Sequence, residues 1–188
     1  MIQDAVSQDF YERMKPRLHQ RIGRELRLAG RVFDLGCGSC DLVRYLADRY
    51  GQRITGVDIS SGSFPAQVKR SVRSRIRCIR NDATRLGFVR DRAIDAVVTM
   101  WALHEMKRPK AILAEAHRIL RPGGEILVVD FPRDSLAEQL WHENYYTPEE
   151  IGELLTDAGF DEIRARLISR QQIIWAKGFR AADHLAES

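Results

Sequence analysis

The chain has 188 residues, of which 44% are hydrophobic and 30% charged, and its formal net charge is +4 at pH 7. This length suits a single domain with one hydrophobic core, and the composition is that of a soluble globular protein. The first residues carry acids where a signal peptide needs basic residues, and no window approaches about 18 consecutive apolar residues, so we expect a cytoplasmic protein without a membrane span.

The first 30 residues form a predicted helical arm. Apolar residues recur at every fourth position, on one face of a helix: Phe10, Met14, Leu18, Ile22 and Leu26. Pro16 lacks a backbone N–H and restricts the residue before it, so we expect a kink or two consecutive helices. Residues 31–179 are then expected to form the core of this single domain, and residues 180–188 a tail that frays.

A glycine-rich turn follows the arm. The apolar run from Val32 to Leu35 leads directly into Gly36 and Gly38, and Asp41 opens a segment with helical periodicity. Glycine has no Cβ, so a ligand can approach the backbone N–H groups at the N-terminus of the helix. We therefore expect a ligand-binding turn between the first strand and the helix that follows.

Strands and helices alternate five times along the core. The other predicted strands are 53–57, 76–79, 94–100 and 125–129, and the predicted helices are 41–49, 63–71 and one that starts at Pro109. This alternation predicts a doubly wound, mostly parallel sheet with helices on both faces, a three-layer α/β/α fold. Ligands of such sheets bind at the carboxyl ends of the strands, where one crevice would collect Asp34, Gly36, Asp58, Asp82, Met100 and Asp130.

The C-terminal part adds one helix and two strands. Thr147 and Glu150 predict a capping box that starts a helix, which ends at Gly159. The strands at 162–167 and 171–176 are joined by a turn of two residues, so we expect them to be antiparallel neighbours.

Two interpretations of the glycine turn account for only part of the pattern. A dinucleotide fingerprint, G-x-G-x-x-G, fits Gly36 and Gly38 but has Asp41 at its third position, and Asp34 would repel a pyrophosphate. Cys37 and Cys40 form a C-x-x-C at a helix N-terminus, which is typical of redox thiols. This redox interpretation gives the acids at the strand ends no role. With one thiol outside the pair, no zinc site or other metal is expected.

A third interpretation gives each acid a function. A ligand with an adenosine and an amino acid moiety needs a carboxylate for its ribose hydroxyls, which Asp58 offers at the end of the second strand. Asp82 can accept a hydrogen bond from the adenine amino group, and Asp34 supplies negative charge for the ammonium group. S-adenosylmethionine has all of these groups.

The chain resembles class I S-adenosylmethionine-dependent methyltransferases, of the small-molecule type 11/25 kind, over nearly its whole length. Six segments carry the resemblance in the family's order: VFDLGCGSCDL, GVDIS, NDATRLGF, IDAVVTMWALHEM, LRPGGEILVVDF and YYTPEEIGELLTDAGF. The resemblance implies a Rossmann-like sheet of seven strands with an antiparallel last strand, and S-adenosylhomocysteine as the product. It implies cofactor contacts from Asp34, Gly36, Cys37, Gly38, Asp58, Ile59, Asp82, Ala83 and Met100. Cys40 departs from the pattern, because the family usually has a third glycine there.

Further candidates lie where similar enzymes hold the acceptor. His104 and Asp130 are candidate catalytic residues, because a base there would take a proton from the attacking atom. Tyr11 is a candidate for closing over the cofactor. Candidate substrate contacts are Trp101, Glu105, His142, Tyr145 and Tyr146, although core packing is an equal alternative for the aromatic residues.

We expect in-line methyl transfer to a small molecule, because so short a chain has no appended recognition domain. Methylation of RNA or protein is an alternative, and a binding protein with a vestigial site is another. The run from Lys69 to Arg80 holds six basic residues and no acid. No aromatic residue lies between Phe64 and Phe88 to stack on bases, so we favour a solvated surface over a nucleic-acid site. The sequence predicts neither a particular acceptor nor an oligomeric state.

Overall fold

A computed structural model describes residues 2–183 of the chain, with side chains from residue 10 onward. Its seven strands form one sheet in the order β3-β2-β1-β4-β5-β7-β6. They are β1 (Arg31–Leu35), β2 (Arg53–Asp58), β3 (Ile76–Arg80), β4 (Ile94–Met100), β5 (Leu120–Asp130), β6 (Asp161–Ile168) and β7 (Ile173–Phe179). The first five are parallel, whereas β7 runs antiparallel to both β5 and β6. The predicted fold class and its antiparallel last strand are confirmed.

Helices cover both faces of the sheet. They are α1 (Ile2–Glu25), α2 (Asp41–Tyr50), α3 (Pro109–Ile119), α4 (Leu136–Trp141) and α5 (Pro148–Asp157), with a short 3-10 helix at Leu103–Glu105. Buried side chains of α1, α2 and α4 pack on one face, and those of α3 and α5 on the other. The predicted capping box of α5 is present: the Glu150 N–H donates to Thr147 Oγ1 at 3.3 Å, and Glu150 Oε2 accepts from the Thr147 N–H at 2.8 Å. Within the described residues, no helix is both long and apolar enough to cross a bilayer.

One predicted helix is absent, and of the two expectations at Pro16 the two consecutive helices are wrong, whereas the kink stays a prediction. Turns and bends, and no helix, connect β2 to β3, although Ser63 and Pro65 are good local signals for a helix start. The apolar face of that segment is too small to support a helix, since none of residues 63–71 is buried. In contrast, α1 runs through Pro16 as a single helix. Its buried Leu18 and Ile22 lie just beyond the proline, and their packing offsets the lost hydrogen bond.

Hydrogen bonding between the C-terminal strand and β5 continues beyond the last residue of β7, to Arg180. We expected a fraying tail from Arg180 onward, but the Arg180 N–H donates to the Gly124 carbonyl at 2.8 Å, and the Gly123 N–H donates to the Arg180 carbonyl at 2.9 Å. The Arg180 guanidinium also donates to three carbonyl groups at the end of α3. That expectation is therefore wrong for Arg180, and residues 184–188 of the expected tail lie outside the described residues.

Candidate functional site

A cavity of about 560 Å³ opens at the carboxyl ends of the central strands. Its wall includes six of the predicted cofactor residues: Gly36, Gly38, Asp58, Ile59, Asp82 and Ala83. Trp101 and Glu105, two of the predicted substrate contacts, also line it. The parallel sheet thus brings residues from four separate turns to one crevice, as expected for this topology.

The glycine turn is anchored to the neighbouring strand. The N–H groups of Gly36 and Cys37 both donate to the Val57 carbonyl, at 2.8 and 3.2 Å. Gly36 and Gly38 have φ angles of 75° and 48°, in the left-handed region that favours glycine. A Cβ on Gly36 would overlap the Cβ of Ala102, whereas a Cβ on Gly38 would meet no protein atom within 4 Å. Gly38 therefore faces open space on the cavity wall, where a ligand can contact the backbone.

Asp58 presents a fixed carboxylate to the same cavity. Its Oδ2 accepts from the Gly38 N–H at 2.9 Å, and its Oδ1 accepts from the Ser60 N–H at 3.0 Å. Each oxygen keeps a further lone pair, so the carboxylate can still accept two hydroxyl hydrogen bonds. Ile59 beside it is 75% exposed and offers an apolar surface for a flat ring.

Asp82 also lies on the cavity wall and has a partner that sequence reasoning missed. Its Oδ1 accepts from the Thr84 N–H at 2.9 Å, and Arg108 Nη2 donates to its Oδ2 at 3.1 Å. Hydrogen bonds from Thr84 and the charge of Arg108 lower the pKa of this carboxyl group, which remains ionised. Arg108 precedes α3, and no pattern in the sequence connects it with the turn after β3.

Asp34 lies beneath the glycine turn, at the end of β1, and is 2% exposed. Burial, followed by the charge of Asp58, raises its pKa to about 7. Burial and the charges of both aspartates likewise raise the pKa of the Cys37 thiol, which therefore stays neutral. A cationic group bound in the cavity would favour ionisation of Asp34.

The three cysteines are arranged differently from the expectation. Cys40 and Cys78 form a disulfide. Cys37 is buried and free, with its Sγ 3.6 Å from that of Cys40. The C-x-x-C pair is thus not the bonded pair. Cys40 has a φ of 57°, which explains why a glycine suits its position.

His104 and Asp130 form a buried pair beside the cavity. Asp130 is fully buried, and its Oδ1 lies 2.7 Å from His104 Nδ1. The carboxylate also accepts from the backbone N–H groups of His104 and Phe131, at 3.1 and 2.9 Å. These bonds fix a proton on Nδ1 and direct Nε2 toward Glu143 and Glu105, 3.2 and 3.8 Å away. Burial lowers the pKa of His104, but the hydrogen bond and charge of Asp130 and the charges of both glutamates raise it further, so the net shift is upward.

Aromatic side chains surround this pair. Tyr145 has its ring 4.6 Å from that of His104, and Trp101 stacks on Phe131 at 5.0 Å. Trp101 has a φ of 57°, unusual for a bulky residue, and its Nε1 is buried with no hydrogen-bond partner among the described residues. Met100, at the end of β4, packs against the hydrophobic cluster that contains Phe131.

Three other predicted residues are placed apart from the cavity wall. Tyr11 is 2% exposed, and its hydroxyl donates to Gln172 and accepts from the Ala137 N–H, so it ties α1 to α4. His142 is exposed at the end of α4. Tyr146 packs against the cluster on the other face of the sheet.

Comparisons with known proteins agree on one family. Residues 33–128 match the family model described as a methyltransferase domain. The chain is 29% identical over 169 residues to a 2-phytyl-1,4-naphtoquinone methyltransferase of Nostoc punctiforme, covering 81% of this chain and 73% of that protein. It is 30% identical over 168 residues to an S-adenosyl-L-methionine-dependent Diels-Alderase of Talaromyces variabilis, covering 77% of this chain and 57% of that protein.

The solved structures show the same fold. The [4+2]-cyclase SpnF superposes with a TM-score of 0.76 at 21% identity, over 88% of this chain and 80% of that one. The curated relatives are longer than this chain, which spans 30% to 73% of their length.

Proposed function

Since the chain belongs to the methyltransferase-domain family, we propose that it is an S-adenosylmethionine-dependent methyltransferase that acts on a small-molecule acceptor. The observation that carries this proposal is the cavity at the strand ends, whose wall combines a glycine turn with the acids Asp58 and Asp82. Its volume of about 560 Å³ is within the range of small-molecule sites.

The residues present fit the cofactor. Gly38 leaves open space for a ligand at the N-terminus of α2, and Asp58 retains acceptor capacity for the two ribose hydroxyls. Asp82 and the backbone of Ala83 would hold the adenine, with Ile59 against the ring. The buried Asp34 would balance the ammonium group of the methionine end. When bound, S-adenosylmethionine supplies an activated methyl group, and the chain contributes orientation and exclusion of water.

The acceptor would lie on the side of the cavity where Trp101 and Glu105 contribute to the wall. We propose that His104 takes a proton from the acceptor through Nε2, because Asp130 fixes the other ring nitrogen as a donor. Glu105 and Tyr145 lie beside His104, and Trp101 lines the cavity, so these three side chains would contact the acceptor. A positioned base of this kind contributes about 10²- to 10⁴-fold in rate.

Methyl transfer is tested with S-adenosylmethionine labelled in its methyl group. The wild-type chain is incubated with quinols, phenols and amines, and with RNA and peptides as the alternative acceptors. Label on a small molecule supports the proposal, and label on RNA or peptide alone favours the alternative, methylation of RNA or protein. Asp130→Asn and His104→Gln should lower turnover and leave cofactor affinity unchanged in calorimetry. Failure to bind the cofactor at all would refute the proposal.

If the chain binds S-adenosylmethionine but transfers no methyl group, it would use the cofactor in a different way. The similarity to an S-adenosyl-L-methionine-dependent Diels-Alderase favours this second candidate, in which the protein binds S-adenosylmethionine and catalyses a cyclisation. The catalytically inactive binding protein gives the same result in the methyl-transfer assay. A triene–dienophile substrate analogue separates the two, because only a cyclase accelerates its ring closure.

A further inference from the structure

Three acids from different parts of the fold surround the His104 ring. The Asp130 carboxyl group accepts from Nδ1, and the carboxyl groups of Glu105 and Glu143 both face Nε2. The two glutamates come from different parts of the chain, one from the 3-10 helix after β4 and one from the segment between α4 and α5. The three donor atoms, one imidazole nitrogen and two carboxyl oxygens, therefore converge on one point.

The spacing of the three atoms suits a metal ion. His104 Nε2 lies 3.2 Å from a Glu143 oxygen and 3.8 Å from a Glu105 oxygen, and all three atoms lie within 4.8 Å of one another. The point equidistant from three atoms so placed is about 1.9 to 2.4 Å from each, a range that includes the lengths of Zn–N and Zn–O bonds. An ammonium group needs about 2.8 Å to each acceptor, so it would have to stand outside their plane.

The surroundings of His104 are those of a metal-binding histidine. Its side chain is 3% exposed, and the buried Asp130 carboxylate, held by two backbone N–H groups, accepts from Nδ1. A carboxylate on the far nitrogen fixes the tautomer and the ring orientation of histidine ligands, leaving Nε2 free to bind metal. The ring cannot turn away without breaking this bond.

We propose that His104, Glu105 and Glu143 form a binding site for a first-row divalent metal ion such as Zn²⁺ or Co²⁺. Imidazole and carboxylate donors suit these ions, and three protein ligands leave a position open. Because Glu105 also lines the cavity, the open position faces the side where an acceptor would bind. A metal ion on Nε2 occupies the lone pair that would otherwise take a proton, so the loaded protein uses His104 as a ligand and not as a base. The site itself depends on neither the methyl donor nor the acceptor.

Binding of Co²⁺ to the tag-free, chelator-treated chain tests the site, followed by calorimetry and by the visible absorption of the bound ion. We expect one equivalent per chain, displaced by Zn²⁺. Glu143→Gln and Glu105→Gln should each weaken binding at least tenfold, and Asp130→Asn should weaken it 10- to 100-fold through the orientation of His104. Glu153→Gln, on the exposed face of α5, is the matched control and should bind Co²⁺ like the wild type.

Two results would overturn the inference. One is a wild-type chain that binds neither Co²⁺ nor Zn²⁺. The other is wild-type affinity in both glutamine variants, which would assign the ion to other donors, such as the Cys37 thiol. The side chain of Glu105 is 68% exposed, so its variant should fold even if a change at the buried His104 does not. Thermal unfolding without metal identifies any variant that is not folded.

Discussion

Asp58 accepts a hydrogen bond from the backbone N–H of Gly38, with 2.9 Å between the nitrogen and Oδ2. This bond joins the acid at the end of β2 to the glycine turn after β1, so both parts of the cavity wall hold a fixed position. The Asp58 carboxylate therefore fixes the turn, and in the proposed function it would also present acceptors to the ribose.

Asp58→Ala should weaken S-adenosylmethionine binding by about 1 to 3 kcal/mol, because charge-assisted hydrogen bonds to the ribose hydroxyls are lost. Calorimetry measures the effect directly. Asp157→Ala, at the end of α5, removes an exposed acid that pairs with Lys110 and should bind the cofactor normally. Equal affinities of the two variants would contradict the ribose assignment.

Gly38→Ala and Gly51→Ala form a matched pair. Both glycines have positive φ angles, 48° and 69°, and neither would bring a Cβ within 4 Å of another atom. Each substitution should therefore lower the free energy of unfolding by about 1 kcal/mol, because alanine is strained in this region. Only Gly38 lines the cavity, so only its variant should lose cofactor affinity, by tenfold or more. A similar loss in both variants would indicate a general effect on folding.

The ends of the central strands could be predicted from sequence because their signals are local. The apolar run of β4 and the acids at the ends of β1 and β2 can each be recognised from neighbouring residues, and parallel topology brings them together. The turns before β3 could not be predicted, since Ser63 and Pro65 favour a helix that the rest of the fold does not support.

The residues proposed to contact the acceptor could likewise be predicted only in part. His104 and Asp130 were candidates because each follows a strand, but Glu143 reaches His104 only through the tertiary fold. No spacing rule connects a residue after α4 with one after β4. Paired thiols are a metal-site signature that spacing reveals, whereas His104 with one adjacent and one distant glutamate has no such signature.

The double variant Cys37→Ser and Cys40→Ser should bind S-adenosylmethionine within about threefold of the wild type. Neither cysteine is part of the cavity wall, and the raised pKa of Cys37 keeps its thiol neutral. A cost in stability of about 1 to 3 kcal/mol is expected, because a serine hydroxyl buried at this position lacks an assured partner. Cys78→Ser is the control for loss of the disulfide alone. Loss of a thiol–disulfide exchange activity in the double variant would instead support the redox interpretation.

The raised pKa of Asp34, about 7, couples the stability of the free chain to pH. The carboxyl group keeps its proton in the folded state at pH values where the unfolded chain, with a pKa near 3.8, has lost it. The folded state then binds more protons, so this group makes the free energy of unfolding fall as pH rises from about 4 to about 7. Each unit of pKa difference corresponds to about 1.4 kcal/mol. Urea unfolding of the wild type and Asp34→Asn should give a steeper decline for the wild type.

Cofactor binding should also depend on pH through Asp34, but the affinity should rise with pH whereas the stability falls. The ammonium group of S-adenosylmethionine favours the ionised form of Asp34, so binding below about pH 7 must release a proton. The affinity of the wild type should therefore fall up to tenfold for each pH unit below about 7, and calorimetry in buffers of different ionisation enthalpy should detect the proton. Asp34→Asn should bind more weakly at pH 8 and lose this part of the dependence. A wild-type affinity that is constant from pH 5 to pH 8 would show that Asp34 does not contact the ammonium group.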